Sequence, residues 1–180
     1  MTVKEVTVLR AEYREQIWSV ADLLRKELEM NVPVDPIEIV EKLGGECVET
    51  SPDQESINFR DAYIITHNNS DTPQFTIKYS NQMPSTRTRF SIAHELGHLC
   101  LHLLKSGGTL TEGTRLDRSP IYSEDEAEAN EFAAALLMPK DEFIEFCKNC
   151  GKRVRIGDVA EYFNVSLQAA KTRGSILNLW

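Results

Sequence analysis

The sequence predicts an α+β fold, mostly helical, with a small antiparallel or mixed sheet ahead of one long buried helix and a helical hairpin at the C-terminal end. Three observations predict it. Apolar residues recur at helical spacing over about 12–30, 85–104 and 124–138. β-Branched and aromatic residues gather in short runs between Cys47 and Tyr79, separated by turn formers. Two further helical patterns, about 156–163 and 167–178, meet at Asn164-Val165-Ser166.

In the first helix Ile17, Val20, Ala21, Leu24 and Leu28 share a face, and the pattern stops near Asn31. Val34-Asp35-Pro36-Ile37 then opens a short helix, because the Asp side chain can accept from a free N–H and Pro has none to satisfy at the first helical position. It runs to Leu43 and stops at Gly44-Gly45. The runs Ile57–Phe59, Ala62–Thr66 and Phe75–Tyr79 read as strands, and the turn formers from His67 to Pro73 make the last two an antiparallel hairpin. A helix from Ser85 or Thr86 to about Leu104 is apolar on most sides and therefore largely buried. Residues 107–123 read as a surface loop beside the site. The next helix, about 124–138, turns Phe132, Ala133, Leu136 and Leu137 inward and is cut off by Pro139, and a shorter one follows from Asp141. Ser166 is placed to cap the final helix. The last two helices resemble a helix-turn-helix, with Gln168, Lys171, Thr172 and Arg173 on the second, but a closing hairpin packed on the domain has the same pattern and is the reading taken here.

At 180 residues and 20.4 kDa the chain has room for one ordinary core. It is read as a main domain over 1–150 and the closing hairpin over 151–180. The longest apolar stretch, Phe132 to Met138, is far short of the roughly 20 residues that span a bilayer, and charged residues run through the first twenty positions with no signal-like apolar segment. The expected location is the cytoplasm. A net charge of −8 argues against a surface built wholly for nucleic acid, although six basic against two acidic residues after Asn149, counting Lys148 with them, leave the tail basic. The four cysteines are too few for a disulfide scaffold, and Cys147 and Cys150 read as unpaired thiols near a helix end.

The chemistry concentrates in His94-Glu95-Leu96-Gly97-His98. Four residues advance an α-helix by about 400°, so both imidazoles leave one side, a turn apart, and can grip one ion. Glu95 lies about 100° round the helix, where a base for water activated by the metal belongs. From the chain's own His and Glu content, the H-E-x-x-H pattern arises by chance on the order of once in a hundred such sequences. Three polar groups inside an apolar helix are costly unless they are paired or hold a metal. A catalytic zinc commonly has three protein ligands, so a third donor is needed. His102, about 12 Å along the axis from His94, is assigned a supporting or structural role. The acidic run from Glu124 to Glu131 supplies the candidate: Glu126 is taken as third ligand ahead of Glu128 and then Glu124, with Asn130 one turn on as an amide that orients a ligand histidine. Ser123 and Glu126 also form a capping box.

The stretch Arg89-Phe90-Ser91-Ile92-Ala93-His94-Glu95-Leu96-Gly97-His98-Leu99-Cys100-Leu101-His102, with the Glu126-to-Pro139 stretch and the Val34-Asp35-Pro36-Ile37 segment upstream, resembles the ImmA/IrrE metallopeptidases over about residues 20–140. The resemblance implies a zincin-like domain in the bacterial cytoplasm that uses Zn2+ to cleave a partner transcriptional repressor of helix-turn-helix type; it carries over His94 and His98 as ligands, Glu95 as catalytic base and Glu126 as third ligand. The expected reaction is peptide-bond hydrolysis, with an extended substrate added as a strand at the sheet edge along Phe75–Tyr79. Tyr122 and His102 are candidates for oxyanion support, and Arg87 and Arg89 are read as solvated surface. The alternative is a zinc-stabilised regulatory or toxin-antitoxin module that binds a repressor, or DNA through its tail, without proteolysis.

Overall fold

Helix α1 (Ala11–Glu27) buries Ile17, Trp18 and Ala21, the face marked by the apolar spacing. It belongs to a computed structural model that describes residues 11–51, 61–67, 74–103, 123–151 and 154–180. The expected strand Ile57–Phe59, the turn at 68–73, Tyr122 and the loop at 107–122 lie outside the described residues. The helix stops at Glu27 rather than near Met30 because Glu29 takes a left-handed backbone conformation, φ 55. Glu29 N–H then donates to Lys26 O at 3.0 Å and Met30 N–H to Arg25 O at 2.9 Å, the bond pair of a Schellman cap. Glycine usually marks that cap, so a glutamate there leaves no sequence signal.

Helix α2 (Pro36–Lys42) starts as expected, with the Asp35 side chain accepting from Ile37 N–H at 3.0 Å. Strands β1 (Glu46–Thr50), β2 (Ala62–Thr66) and β3 (Phe75–Ser80) form a sheet in the order β1-β3-β2. β2 and β3 are the antiparallel hairpin, while β1 runs parallel to β3 with Cys47 opposite Ile77, so the sheet is mixed. β3 is the central strand, with both its edges paired.

Helix α3 (Ser85–His98) packs on α2, β2 and β3 and against α4 (Glu124–Leu137), and α1 covers another side of α4. Ser123 caps α4, accepting from Glu126 N–H at 3.3 Å. The continuous helix expected to Leu104 does not hold as such: Leu99–Leu103 is a π-helical turn. All but one of these residues are apolar or Cys, so no polar stripe fixes the helical register, and packing sets it instead.

Helices α5 (Lys140–Asn149), α6 (Ile156–Phe163) and α7 (Leu167–Ile176) complete the described chain. Phe143 of α5 stacks on Phe163 of α6 with ring centres 5.3 Å apart. Asn164, left-handed at φ 51, closes α6, and Ser166 caps α7 by accepting from Ala169 N–H at 3.1 Å. Gln168, Lys171 and Thr172 are exposed on α7, but Arg173 is buried. Its guanidinium lies 4.4 Å from the centre of the Trp18 ring, donates to Met138 O at 3.1 Å and meets Glu131 Oε1 at 3.5 Å. Glu131 also accepts from Trp18 Nε1 at 2.6 Å and Arg14 Nε at 3.2 Å. The basic tail therefore spends one of its charges inside, joining α7 to α1 and α4. Burial lowers the Arg173 pKa to about 10 against the opposing pull of Glu131, and the group stays charged near neutral pH.

Loss of the Arg173 guanidinium leaves Glu131 its Trp18 and Arg14 partners but removes the contacts to Met138 O, Glu131 and the Trp18 ring, at a cost of about 2 kcal/mol. Arg173→Met is accordingly expected to lower the urea midpoint of unfolding by that equivalent with the transition slope unchanged.

Candidate metal centre

α3 brings His94, Glu95 and His98 into the interior; Glu95 is 2% exposed and both histidines are buried. From α4, Glu126 points at the two imidazoles: its Oε1 lies 3.3 Å from His98 Nε2 and its Oε2 3.5 Å from His94 Nε2, and the two Nε2 atoms are 3.1 Å apart. His94 Nδ1 is 3.0 Å from Asn130 Oδ1, one helical turn beyond Glu126. Since that amide oxygen only accepts, the His94 proton sits on Nδ1 and Nε2 presents a lone pair. A lone pair and a carboxylate oxygen facing each other in a buried pocket satisfy neither, whereas a cation between them satisfies both. The separations also match a tetrahedral ion with nitrogen and oxygen ligands, for which bonds of 2.0–2.1 Å give edges of about 3.3 Å. Among the described residues these three form the cluster able to hold a metal, their ligand atoms all within 4.8 Å of one another.

The close approach of α3 and α4 depends on Gly97. A Cβ placed there would lie 3.0 Å from Ala129 Cα, 3.1 Å from Ala129 O and 3.3 Å from Phe132 Cβ. Glycine costs a helix interior about 1 kcal/mol relative to alanine, and here it permits the backbone contact that carries Glu126 to the histidines. Gly97→Ala is expected to leave the helical content intact while weakening zinc binding about tenfold by chelator competition, because the backbone of α4 must move away.

The other acidic residues do not join this cluster. Glu124 is exposed. Glu128 is buried but turned aside, accepting from Tyr13 OH at 2.7 Å. That contact had no sequence signal, since Tyr13 lies on a different helix far away in the chain. His102 lies beyond His98, its Nδ1 3.8 Å from Glu128 Oε2 and 3.9 Å from Asp125 Oδ1. Arg87 is solvated and paired with Asp61 at 2.6 Å. Arg89 is not simply surface: it donates to Val34 O at 2.6 Å and to Asn164 O at 3.1 Å, clamping the start of α3 to the α6–α7 turn. Cys147 and Cys150 are both free thiols.

Burial, then the hydrogen bond and negative charge of Glu128, raise the Tyr13 phenol to about 12. A raised folded-state pKa means the protonated phenol is the favoured form, so its contribution to stability is present below pH 10 and lost as pH rises toward 12. An absorbance titration at the tyrosinate band should show a phenol titrating near pH 12 that vanishes in Tyr13→Phe.

An H-E-x-x-H helix laid on a small mixed sheet, with a carboxylate offered by the following helix, defines a zincin-like domain. A family model described as Peptidase M78, IrrE N-terminal-like domain, matches residues 54–175, and the chain belongs to that family. Among solved structures, a Mycobacterium tuberculosis transcriptional regulator is similar in fold, with a TM-score of 0.61 at 18% identity over 89% of this chain and 46% of that one. The chain thus spans less than half the length of that regulator. No curated protein matches it. Among the described residues no helix is long and apolar enough to cross a membrane.

Proposed function

We propose that the chain is a zinc-dependent endopeptidase of the cytoplasm that cleaves a partner transcriptional repressor, of helix-turn-helix type. The observation that carries this reading is the convergence of His94, His98 and Glu126 in a buried pocket on a helix that also holds Glu95. Family membership supports peptidase chemistry, and the likeness to a transcriptional regulator supports a regulatory setting.

His94, His98 and Glu126 would hold the ion, which when bound supplies Lewis-acid polarisation of a carbonyl and of water. Glu95, one position from a ligand on the same helix, takes the proton of the attacking water and returns it to the leaving amine. Asn130 holds the His94 ring in the orientation and tautomer that aim Nε2 at Glu126. An extended peptide cannot pair with β3, as the sequence suggested, because β1 and β2 already occupy both its edges.

Glu95→Gln preserves size and hydrogen bonding but cannot accept a proton. The variant is expected to bind one zinc per chain with wild-type affinity and to cleave a co-expressed repressor about 10²–10⁴-fold more slowly, read from the rate of fragment appearance. Relief of repression equal to wild type, with no fragments, would instead establish a module that binds its repressor without cutting it.

A further inference from the structure

The two ligand histidines are supported unequally. His94 has Asn130 behind its Nδ1, whereas among the described residues His98 is engaged only through Nε2. A metal-ligating histidine ordinarily donates its remaining N–H to an acceptor that fixes the ring. His102 is the side chain in place to receive it. Its ring centre lies 5.3 Å from that of His98 with the planes inclined by 47°, and its Nε2 is buried with no hydrogen-bond partner among the described residues. A buried polar atom left without a partner is destabilising, so its retention calls for a reason. The other nitrogen of His102 faces the carboxylates of Glu128 and Asp125, which draws the ring proton to Nδ1 and leaves a lone pair on Nε2. Glu128 is itself held by Tyr13 at 2.7 Å.

We propose that His102 is the positioning residue of His98, its Nε2 accepting the His98 Nδ1–H when a metal is bound. This rests on the metal centre described above and not on peptide cleavage. An imidazole nitrogen lies about 1.2 Å from its ring centre, so the observed separation leaves about 3 Å, an ordinary hydrogen-bond distance, between two nitrogens that face each other. The π-turn has a function in this arrangement. It changes the angle at which the residue one turn after His98 leaves the helix, and so sets His102 between His98 and the Glu128 carboxylate. The resulting support runs from His98 through His102 and Glu128 to Tyr13, tying the metal ligand to α1.

Zinc affinity of the full chain, measured by chelator competition without any peptide, tests this. His102→Ala and His102→Phe are expected to bind zinc 10–100-fold more weakly, and His102→Gln, whose side-chain oxygen accepts a hydrogen bond, to recover most of the loss. Wild-type affinity in the first two variants, or no recovery with Gln, would overturn the proposal, the latter by showing a packing role. A second measurement does not depend on how the variants fold: in the zinc-loaded wild type, histidine 15N spectra should show a slowly exchanging His98 Nδ1–H and an unprotonated His102 Nε2. A rapidly exchanging His98 proton or a protonated His102 Nε2 would also overturn it. A wild-type chain that binds zinc but cleaves nothing defeats the peptidase reading alone, and one that binds no zinc defeats both.

Discussion

The contact between α3 and α4 at Gly97 and Ala129 is the constraint on which the site depends. The histidines and the carboxylate come from different helices, so the distance between two helix axes decides whether these side chains converge or face apart. A missing Cβ at Gly97 sets that distance, since any side chain there would meet the backbone of Ala129 and the Phe132 side chain. The intrinsic helix preference of alanine is given up for it. Once the axes are this close, Glu126 and Asn130, one turn apart on α4, reach the two sides of the His94 ring.

α4 carries three buried carboxylates, Glu126, Glu128 and Glu131, and each has separate partners. Glu126 meets the histidine pair, Glu128 meets Tyr13, and Glu131 meets Arg14, Trp18 and Arg173. A buried carboxylate without partners would be protonated or would unfold the helix, so the acidic segment folds inward only because α1, α3 and α7 supply compensating groups. α4 is thereby clamped from behind by charge pairs made with both ends of the described chain. This explains why α7, whose pattern suits a nucleic-acid reading helix, directs Arg173 to the interior: the guanidinium lies on Trp18 and completes the Glu131 cluster.

Much of the fold and site was legible from local patterns. The capping signals at Asp35, Ser123 and Ser166 act within a few residues and appear where expected. The β2–β3 hairpin followed from runs and turn formers, and His94 and His98 fall on one side of a helix because the helical repeat demands it. The end of α1 was misplaced because Glu29 adopts a backbone conformation normally signalled by glycine. The π-turn at Leu99–Leu103 was missed because an all-round apolar segment carries no phase. The central position of β3 was missed because the parallel partner β1 joins it across a long interval of chain.

Residue order alone therefore specified the main helices, the β2–β3 hairpin, the H-E-x-x-H motif and the placing of Glu126 and Asn130 on one helical face, all of which follow from periodicities of a few residues. Packing in three dimensions brought Glu126 to the two histidines and turned Glu128 to Tyr13, set His102 beside His98, and engaged Arg89 and Arg173 with other elements. Those outcomes depend on the spacing and rotation of elements distant in the chain. Such distances are set by how side chains fill the space between helices, and no local pattern encodes them.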